Sequence, residues 1–324
     1  MVITIKMTKR EFYINRLLEY SGKPLIKVIT GIRRCGKSSL LFLLRDELIS
    51  RGTNESRIIY LNFESLEYSG IPTAQALYDF IKEKVKDRGR YYILLDEIQE
   101  VEGWEKAVNS FFTEIKADIY ITGSNSRLLS SELATYIAGR YVELNLYTLS
   151  FREYLLFRQA YFGMAAGDVK EEFKGFLGSG GFPVLHIADY NRDAAVKIVF
   201  DIYSSIILRD VVQRNRIRDV ELLERVVKFV FDNSGNRFSA LNITKYFKSQ
   251  QRKVDPGTVY NYLSALEAAY IIHRVPRYDL KGKEILKTHE KYYAGDHSLV
   301  QVTSGYSGRK IPAVLENIVM LELK

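Results

Sequence analysis

The first 150 residues carry two alternating rhythms of apolar positions. Short apolar runs, rich in β-branched and aromatic side chains, occupy 25–30, 58–63, 91–95, 118–122 and 141–146. Between them, apolar residues recur at three- and four-residue spacing over about 37–50, 73–87, 104–115 and 126–137. The short runs predict buried strands and the spaced stretches predict helices. Their alternation predicts an α/β domain built on a parallel sheet with helices on both faces, spanning residues 1–150. Past that point the rhythm changes. A mostly helical pattern runs over 151–218, broken at Gly178–Pro183, where the glycines read more readily as a tight turn than as a ligand loop. Residues 219–300 then read helix, helix, helix, hairpin. The first helix covers 220–231 and stops at Ser234-Gly235. Ser239 caps a second that runs to Lys248, and Asp255-Pro256 opens a third with Val259, Leu263 and Leu266 on one side. Strands at 271–278 and 284–293 flank the basic tip Leu280-Lys281-Gly282-Lys283. That order predicts a winged helix-turn-helix domain, whose third helix enters a DNA major groove.

Composition narrows the class. Of 324 residues, 47% are hydrophobic, enough to bury cores in two domains. No apolar run approaches the roughly 20 residues needed to span a bilayer. Lys6, Lys9, Arg10 and Glu11 interrupt any signal-peptide core. The single cysteine, Cys35, excludes an internal disulfide framework and fits a reducing, cytoplasmic compartment. Four scattered histidines give no zinc constellation. Charge is uneven: +2 over 1–150 and +6 over 151–324, within a net +8. A polyanionic partner is therefore sought in the second half.

The stretch with the most chemical content is Gly31-Ile32-Arg33-Arg34-Cys35-Gly36-Lys37-Ser38, followed by Ser39, set between the first predicted strand and helix. It has the G-x-x-x-x-G-K-S spacing of a phosphate-binding loop. Gly31 and Gly36 allow positive φ, so backbone N–H groups can close around phosphate oxygens. Lys37 reaches the β/γ-phosphates and the Ser38 hydroxyl ligates Mg²⁺. Residues 31–39 are thus expected to hold ATP. Arg33 and Arg34 add positive potential, and Cys35, beside them and a helix N-terminus, is expected to be a low-pKa thiol whose alkylation reports nucleotide occupancy.

Tyr91-Tyr92-Ile93-Leu94-Leu95 ends in Asp96-Glu97, 59 residues after Lys37. Such a strand places both carboxylates at the carboxyl edge of the sheet. Asp96 is expected to hold Mg²⁺ through water, and Glu97 to orient or deprotonate the attacking water. The strand Ile119–Thr122 ends in Gly123-Ser124-Asn125, where Ser124 and Asn125 are candidates for the γ-phosphate or for a plain helix cap. Arg140, at the start of the next strand, is either a surface residue or an arginine that stabilises phosphoryl charge, in its own chain or a neighbour's.

Together, Gly-Ile-Arg-Arg-Cys-Gly-Lys-Ser, Ile-Leu-Leu-Asp-Glu-Ile-Gln and Ile-Thr-Gly-Ser-Asn-Ser resemble the prokaryotic AAA+-type P-loop ATPases with an uncharacterised C-terminal region. Ala-Gly-Arg-Tyr, Leu-Ser-Phe-Arg-Glu-Tyr-Leu (149–155), Gly180-Gly181-Phe182-Pro183, Leu208-Arg209-Asp210-Val211 and Lys291-Tyr292-Tyr293-Ala294-Gly295-Asp296 are similar to its further motifs. The resemblance implies an ATPase domain, a helical connector or lid, a winged helix, and then a nuclease-like domain. It sets the 118–122 strand between the phosphate-loop strand and the Asp96-Glu97 strand, with Ser124 or Asn125 at the sensor-1 position. Residues 301–324, with a helix at 312–323 and Glu316 at its acidic position, resemble only the start of that last domain. The other metal-binding acids are not in the sequence, so nuclease activity is not expected.

Residues 237–291 carry a local charge of +6. Arg252, Lys253, Lys281 and Lys283 are placed to neutralise phosphates, with Thr258, Tyr260 and Asn261 facing the groove. Winged helices also dock proteins and serve as ATPase lids. Two readings follow: an Mg²⁺-dependent ATPase that couples nucleotide state to duplex DNA or partner binding, as monomer or homo-oligomer, or a slow nucleotide switch that docks a protein without DNA. Arg209 reads either as a salt-bridge residue or as a lid arginine that reaches the nucleotide.

Overall fold

The structure is a computed structural model, described over residues 7–126, 139–163, 167–276, 290–305 and 311–324. The helix expected at 126–137 and the hairpin tip with Lys281 and Lys283 lie outside the described residues, Ser126 excepted. The chain divides into two compact units: Met1–Gly31 with Cys35–Leu146, and Ile32–Arg34 with Tyr147–Lys324.

In the first unit the elements run α1 (Glu11–Glu19), β1 (Ile26–Thr30), α2 (Lys37–Ser50), β2 (Ile58–Asn62), α3 (Ala74–Lys84), β3 (Tyr91–Asp96), α4 (Trp104–Glu114), β4 (Ala117–Gly123) and β5 (Tyr141–Asn145). The strands lie in the order β2-β3-β4-β1-β5, and every pairing is parallel. β4 therefore separates β1 from β3, and the ends of all three strands meet at one edge of the sheet. Along the strands Ile26, Val28, Ile93, Leu95, Ile119 and Ile121 pack with Leu77, Ile81, Trp104, Val108 and Phe111 of α3 and α4. The intervening Ile29, Leu94 and Tyr120 are equally buried, so both faces are covered. Full burial of a side chain such as Phe111 contributes about 1.5–3 kcal/mol. Lys27 is the exception in this apolar run: it is buried, and its Nζ donates to Asp118 Oδ1 at 2.5 Å. Burial pulls the Lys27 pKa down, against the opposing pull of Asp118.

The second unit opens with α5 (Phe151–Phe162), fixed by a capping box between Ser150 and Glu153. It continues with α6 (Val169–Ser179) and α7 (Arg192–Ser205), which runs on as a π-helical stretch, Ile206–Gln213. Then come α8 (Val220–Asp232), β6 (Arg237–Phe238), α9 (Ala240–Ser249), α10 (Pro256–Ala268), β7 (Ile272–Val275), β8 (Glu290–Ala294), α11 (His297–Ser304) and α12 (Ile311–Glu322). The three strands form an antiparallel sheet in the order β6-β8-β7. β6, only two residues long, is too short to leave a periodic signal in the sequence.

The glycines of the Gly180-Gly181-Phe182-Pro183 stretch pack against Asp296, which ends the Lys291–Asp296 motif. Gly181 N donates to Asp296 Oδ2 at 2.9 Å, and Leu149 N donates to Gly181 O at 2.7 Å. A Cβ at Gly180, where φ is +83°, would collide with Asp296 and Ser298. α12 attaches to β8 through Asn317, whose side chain accepts from Ala294 N at 2.7 Å and donates to Ala294 O at 3.0 Å. Beside it, Glu316 Oε1 accepts from Lys291 Nζ and from Tyr293 OH, each at 2.7 Å. No helix among the described residues is long and apolar enough to cross a membrane.

Candidate nucleotide site

β1 ends at Thr30, and the loop that follows turns on three residues of positive φ: Gly31 at +148°, Arg34 at +67° and Gly36 at +102°. At Gly31 a Cβ would collide with the carbonyl oxygen of Leu146, so only glycine fits. Gly36 is the N-cap of α2 and supplies no side-chain cap, and the N-terminus of a 14-residue helix favours an anion. Arg10, just before α1, donates from Nη1 to the Cys35 carbonyl at 3.2 Å and ties the loop to the N-terminal segment. Nothing in the sequence pattern pointed to Arg10, because its partner is a backbone oxygen.

Lys37, the first residue of α2, is buried. Its Nζ donates to Gly31 O at 3.2 Å and lies 3.4 Å from Glu97 Oε1. Burial opposes its charge, but the carboxylates of Glu97 and Asp96 prevail and hold its pKa above the ordinary lysine value.

At the end of β3, Asp96 is completely buried. Thr122 Oγ1 of β4 donates to Asp96 Oδ1 at 2.5 Å, and Tyr60 OH of β2 donates to Oδ2 at 3.0 Å. Burial raises the Asp96 pKa, while hydrogen bonds from Thr122, Ser38 and Tyr60 pull it down. The same Thr122 oxygen accepts Glu97 N–H at 2.8 Å. One hydroxyl thus fixes both members of the acidic pair. Glu97 itself has φ +52°, a left-handed conformation that turns its carboxylate off the strand direction, where Gln99 Nε2 donates to Oε2 at 2.5 Å. Such a conformation is uncommon in a non-glycine residue and costs of order 1–3 kcal/mol. Ser124 and Asn125, at the end of β4, are buried at the same edge of the sheet.

Residues 23–155 match a family described as AAA domain, and residues 170–310 match a domain of unknown function (DUF8612). An uncharacterized protein of Haemophilus influenzae is 38% identical over 318 residues, covering 98% of this chain and 78% of that protein. An uncharacterized protein of Methanocaldococcus jannaschii is 29% identical over 326 residues, covering 99% of this chain and 71% of that protein. Among solved structures, the Walker-type ATPase of Pyrococcus abyssi has the same fold, with a TM-score of 0.62 at 18% identity over 92% of this chain and 96% of that one. The chain belongs to the AAA+ P-loop ATPase family.

The AAA+ site is nucleotide-binding in character, and its other sequence-predicted residues fall in several places. Cys35 differs from expectation. It is completely buried, and burial pushes its thiol pKa up in spite of Lys37 and Arg10 nearby. Proximity to cations was readable from the sequence; enclosure was not. Ile32–Arg34 group with the second unit. There Arg33 Nη1 lies 3.6 Å from Asp210 Oδ2, and Arg214 Nε lies 3.4 Å from Asp210 Oδ1. Asp210 is buried, whereas its neighbour Arg209, the residue singled out by sequence, is exposed. Arg34 and Ser39 are exposed and Ser38 is half-buried. Arg140 is exposed over the Phe112 ring, 5.7 Å from its centroid. Its carbonyl accepts from Ile26 N at the start of β1, so it sits at the edge of the sheet away from the loop. Within one chain, Arg140 is not part of the AAA+ site.

The described residues expected to contact DNA lie between the end of α9 and the first half of α10. Arg252 is engaged by Glu221 at 3.2 Å and Asp219 at 4.0 Å. Lys253, Tyr260 and Asn261 are exposed, and Thr258 is half-buried, its N–H taken by Asp255, the N-cap of α10.

Proposed function

We propose that this AAA+ chain is an Mg²⁺-dependent ATPase that couples its nucleotide state to the binding of duplex DNA. The observation that carries the hydrolytic reading is the 3.4 Å approach of Lys37 Nζ to Glu97 Oε1. A cation suited to β/γ-phosphates and a carboxylate suited to a water proton converge on one point, beside the N-terminus of α2, which has no side-chain cap. Among the described residues no group of three or more His, Cys, Asp or Glu is placed to hold a metal. That fits Mg²⁺, which binds through one or two protein ligands plus substrate phosphates. Ser38 and Asp96 would hold it, and when bound it neutralises charge on the phosphate oxygens. Lys37 would leave Glu97 for the phosphates, and Glu97 would then be free to take the proton of the attacking water.

The element order α8-β6-α9-α10-β7-β8, with sheet order β6-β8-β7, supports the winged-helix reading. It makes α10, with Tyr260 and Asn261 exposed, the helix directed at a groove. Arg140, exposed and away from its own loop, suits a role on a neighbouring copy's nucleotide. A second reading, a protein-docking switch, is favoured by the pairing of Arg252 with acids and by the exposure of Leu241, Tyr246 and Tyr260 on the same region. Steady-state ATP hydrolysis measured with and without duplex DNA, at several salt concentrations, separates them. Stimulation that fades as salt rises supports DNA coupling. Hydrolysis indifferent to DNA, together with no salt-sensitive duplex binding, supports the docking switch.

A further inference from the structure

Glu97 is held at both carboxylate oxygens. Oε1 faces Lys37 at 3.4 Å, and Oε2 accepts from Gln99 Nε2 at 2.5 Å. An ionised carboxylate only accepts hydrogen bonds, so the nitrogen of the Gln99 amide must face it and the amide oxygen points elsewhere. That oxygen, Gln99 Oε1, is buried and has no hydrogen-bond partner among the described residues. Buried acceptors are nearly always paired, and one left over beside a reactive carboxylate calls for a donor that arrives with the reactants. The hydroxyl proton of Thr122 is already committed to Asp96. ATP phosphate oxygens are acceptors. Water is the donor that hydrolysis itself brings.

We propose that Gln99 seats the attacking water. Its Nε2–H fixes the Glu97 carboxylate, its Oε1 accepts one hydrogen of the water, and Glu97 receives the other. This rests on the hydrolytic reading above. The water oxygen forms a bond to the γ-phosphorus as the bond from that phosphorus to the β–γ bridging oxygen breaks. The bond's electron pair leaves with ADP, and the proton taken by Glu97 is released to solvent with the products. One amide thus orients the base and the nucleophile together, as a glutamine that orients an attacking water does in other P-loop enzymes.

The test uses the full chain with Gln99→Met, which keeps length and removes both polar atoms, and Gln99→Glu, which keeps an acceptor and loses the donor. The readouts are kcat, the Kd for ATP, and the Kd for ADP with aluminium fluoride as a transition-state mimic. For Gln99→Met, kcat falls about 10- to 100-fold and the mimic binds correspondingly more weakly, while the ATP Kd stays within about threefold. Gln99→Glu loses kcat as well, because two carboxylates repel. In a Glu97→Gln background, Gln99→Met removes little more, since the two groups act as a unit. Three results overturn the proposal: unchanged kcat in Gln99→Met, multiplicative losses in the double variant, or weakening of ATP and the mimic by the same factor, which marks a structural role. A parent that binds ATP without turnover overturns the hydrolytic reading itself, and this role with it.

Discussion

Lys37 Nζ stands 3.4 Å from Glu97 Oε1, and both side chains are buried. The loop's cation is thus paired with the carboxylate proposed above as the base. On the proposed function, ATP exchanges one partner of Lys37 for another and releases Glu97 as it binds.

Removing the lysine breaks both halves of that exchange. Lys37→Ala is expected to abolish tight ATP binding, because the phosphates lose their buried cation. It also strands the Glu97 carboxylate, at a cost of about 3–5 kcal/mol. Isothermal titration with ATP and a urea melt check both; parent-like ATP affinity would refute the assignment.

Thr122 is the hinge of the acidic pair, since one hydroxyl serves Asp96 and the Glu97 N–H. Thr122→Val keeps the shape but takes a donor from Asp96 and an acceptor from the Glu97 N–H, at about 1–3 kcal/mol of stability. The expected result is a lower melting temperature and reduced kcat, both restored by Thr122→Ser. A stable, fully active Thr122→Val protein would show that the bridge is dispensable.

Cys35 is enclosed, and its thiol is harder to ionise than an exposed one. Alkylation by iodoacetamide at neutral pH is therefore expected to be slow with or without Mg-ATP, and to become fast only in denaturant. Rapid labelling of the native chain would mean that the loop opens in solution.

Asp210 is buried with Arg33 and Arg214 on its two oxygens. Asp210→Ala leaves both guanidinium groups without it, and a stability loss of about 3 kcal/mol is expected, most of it from the better-buried Arg33. Chemical denaturation measures it, and a loss under about 0.5 kcal/mol would place the pair in the class of weak surface contacts.

How much of this was readable from sequence depends on whether the determining partner is near in the chain. β1, the loop and α2 form one local signal, and the helix begins at Lys37, where the pattern put it. The end of β3 was readable only from its place: two acids after an apolar run are a weak signal alone, and their position 59 residues after Lys37, with one strand and one helix pattern between, singles them out. Lys27 was not. In sequence it is a lone lysine in a strand, and its partner Asp118 is 91 residues away. Thr122 and Tyr60 read as ordinary strand residues, since only the parallel registers of β2 and β4 with β3 carry their hydroxyls to Asp96. The π-helical stretch 206–213 has no period that separates it from an α-helix over two turns, so Asp210 was passed over for the arginine beside it. Cys35 shows the reverse failure: its neighbours were known, but burial, which outweighs them, is a property of the fold.

The central claim, that this loop and carboxylate form a hydrolytic centre, is tested most directly by Glu97→Gln. The measurement is Mg-ATP affinity and turnover on the same preparation, parent beside variant. The account predicts parent-like affinity, within a few-fold, and a kcat lower by about two to four decades, because the variant keeps the cradle and loses the acid–base group. Near-parent turnover in Glu97→Gln, or a parent chain that binds Mg-ATP and never hydrolyses it, would contradict it.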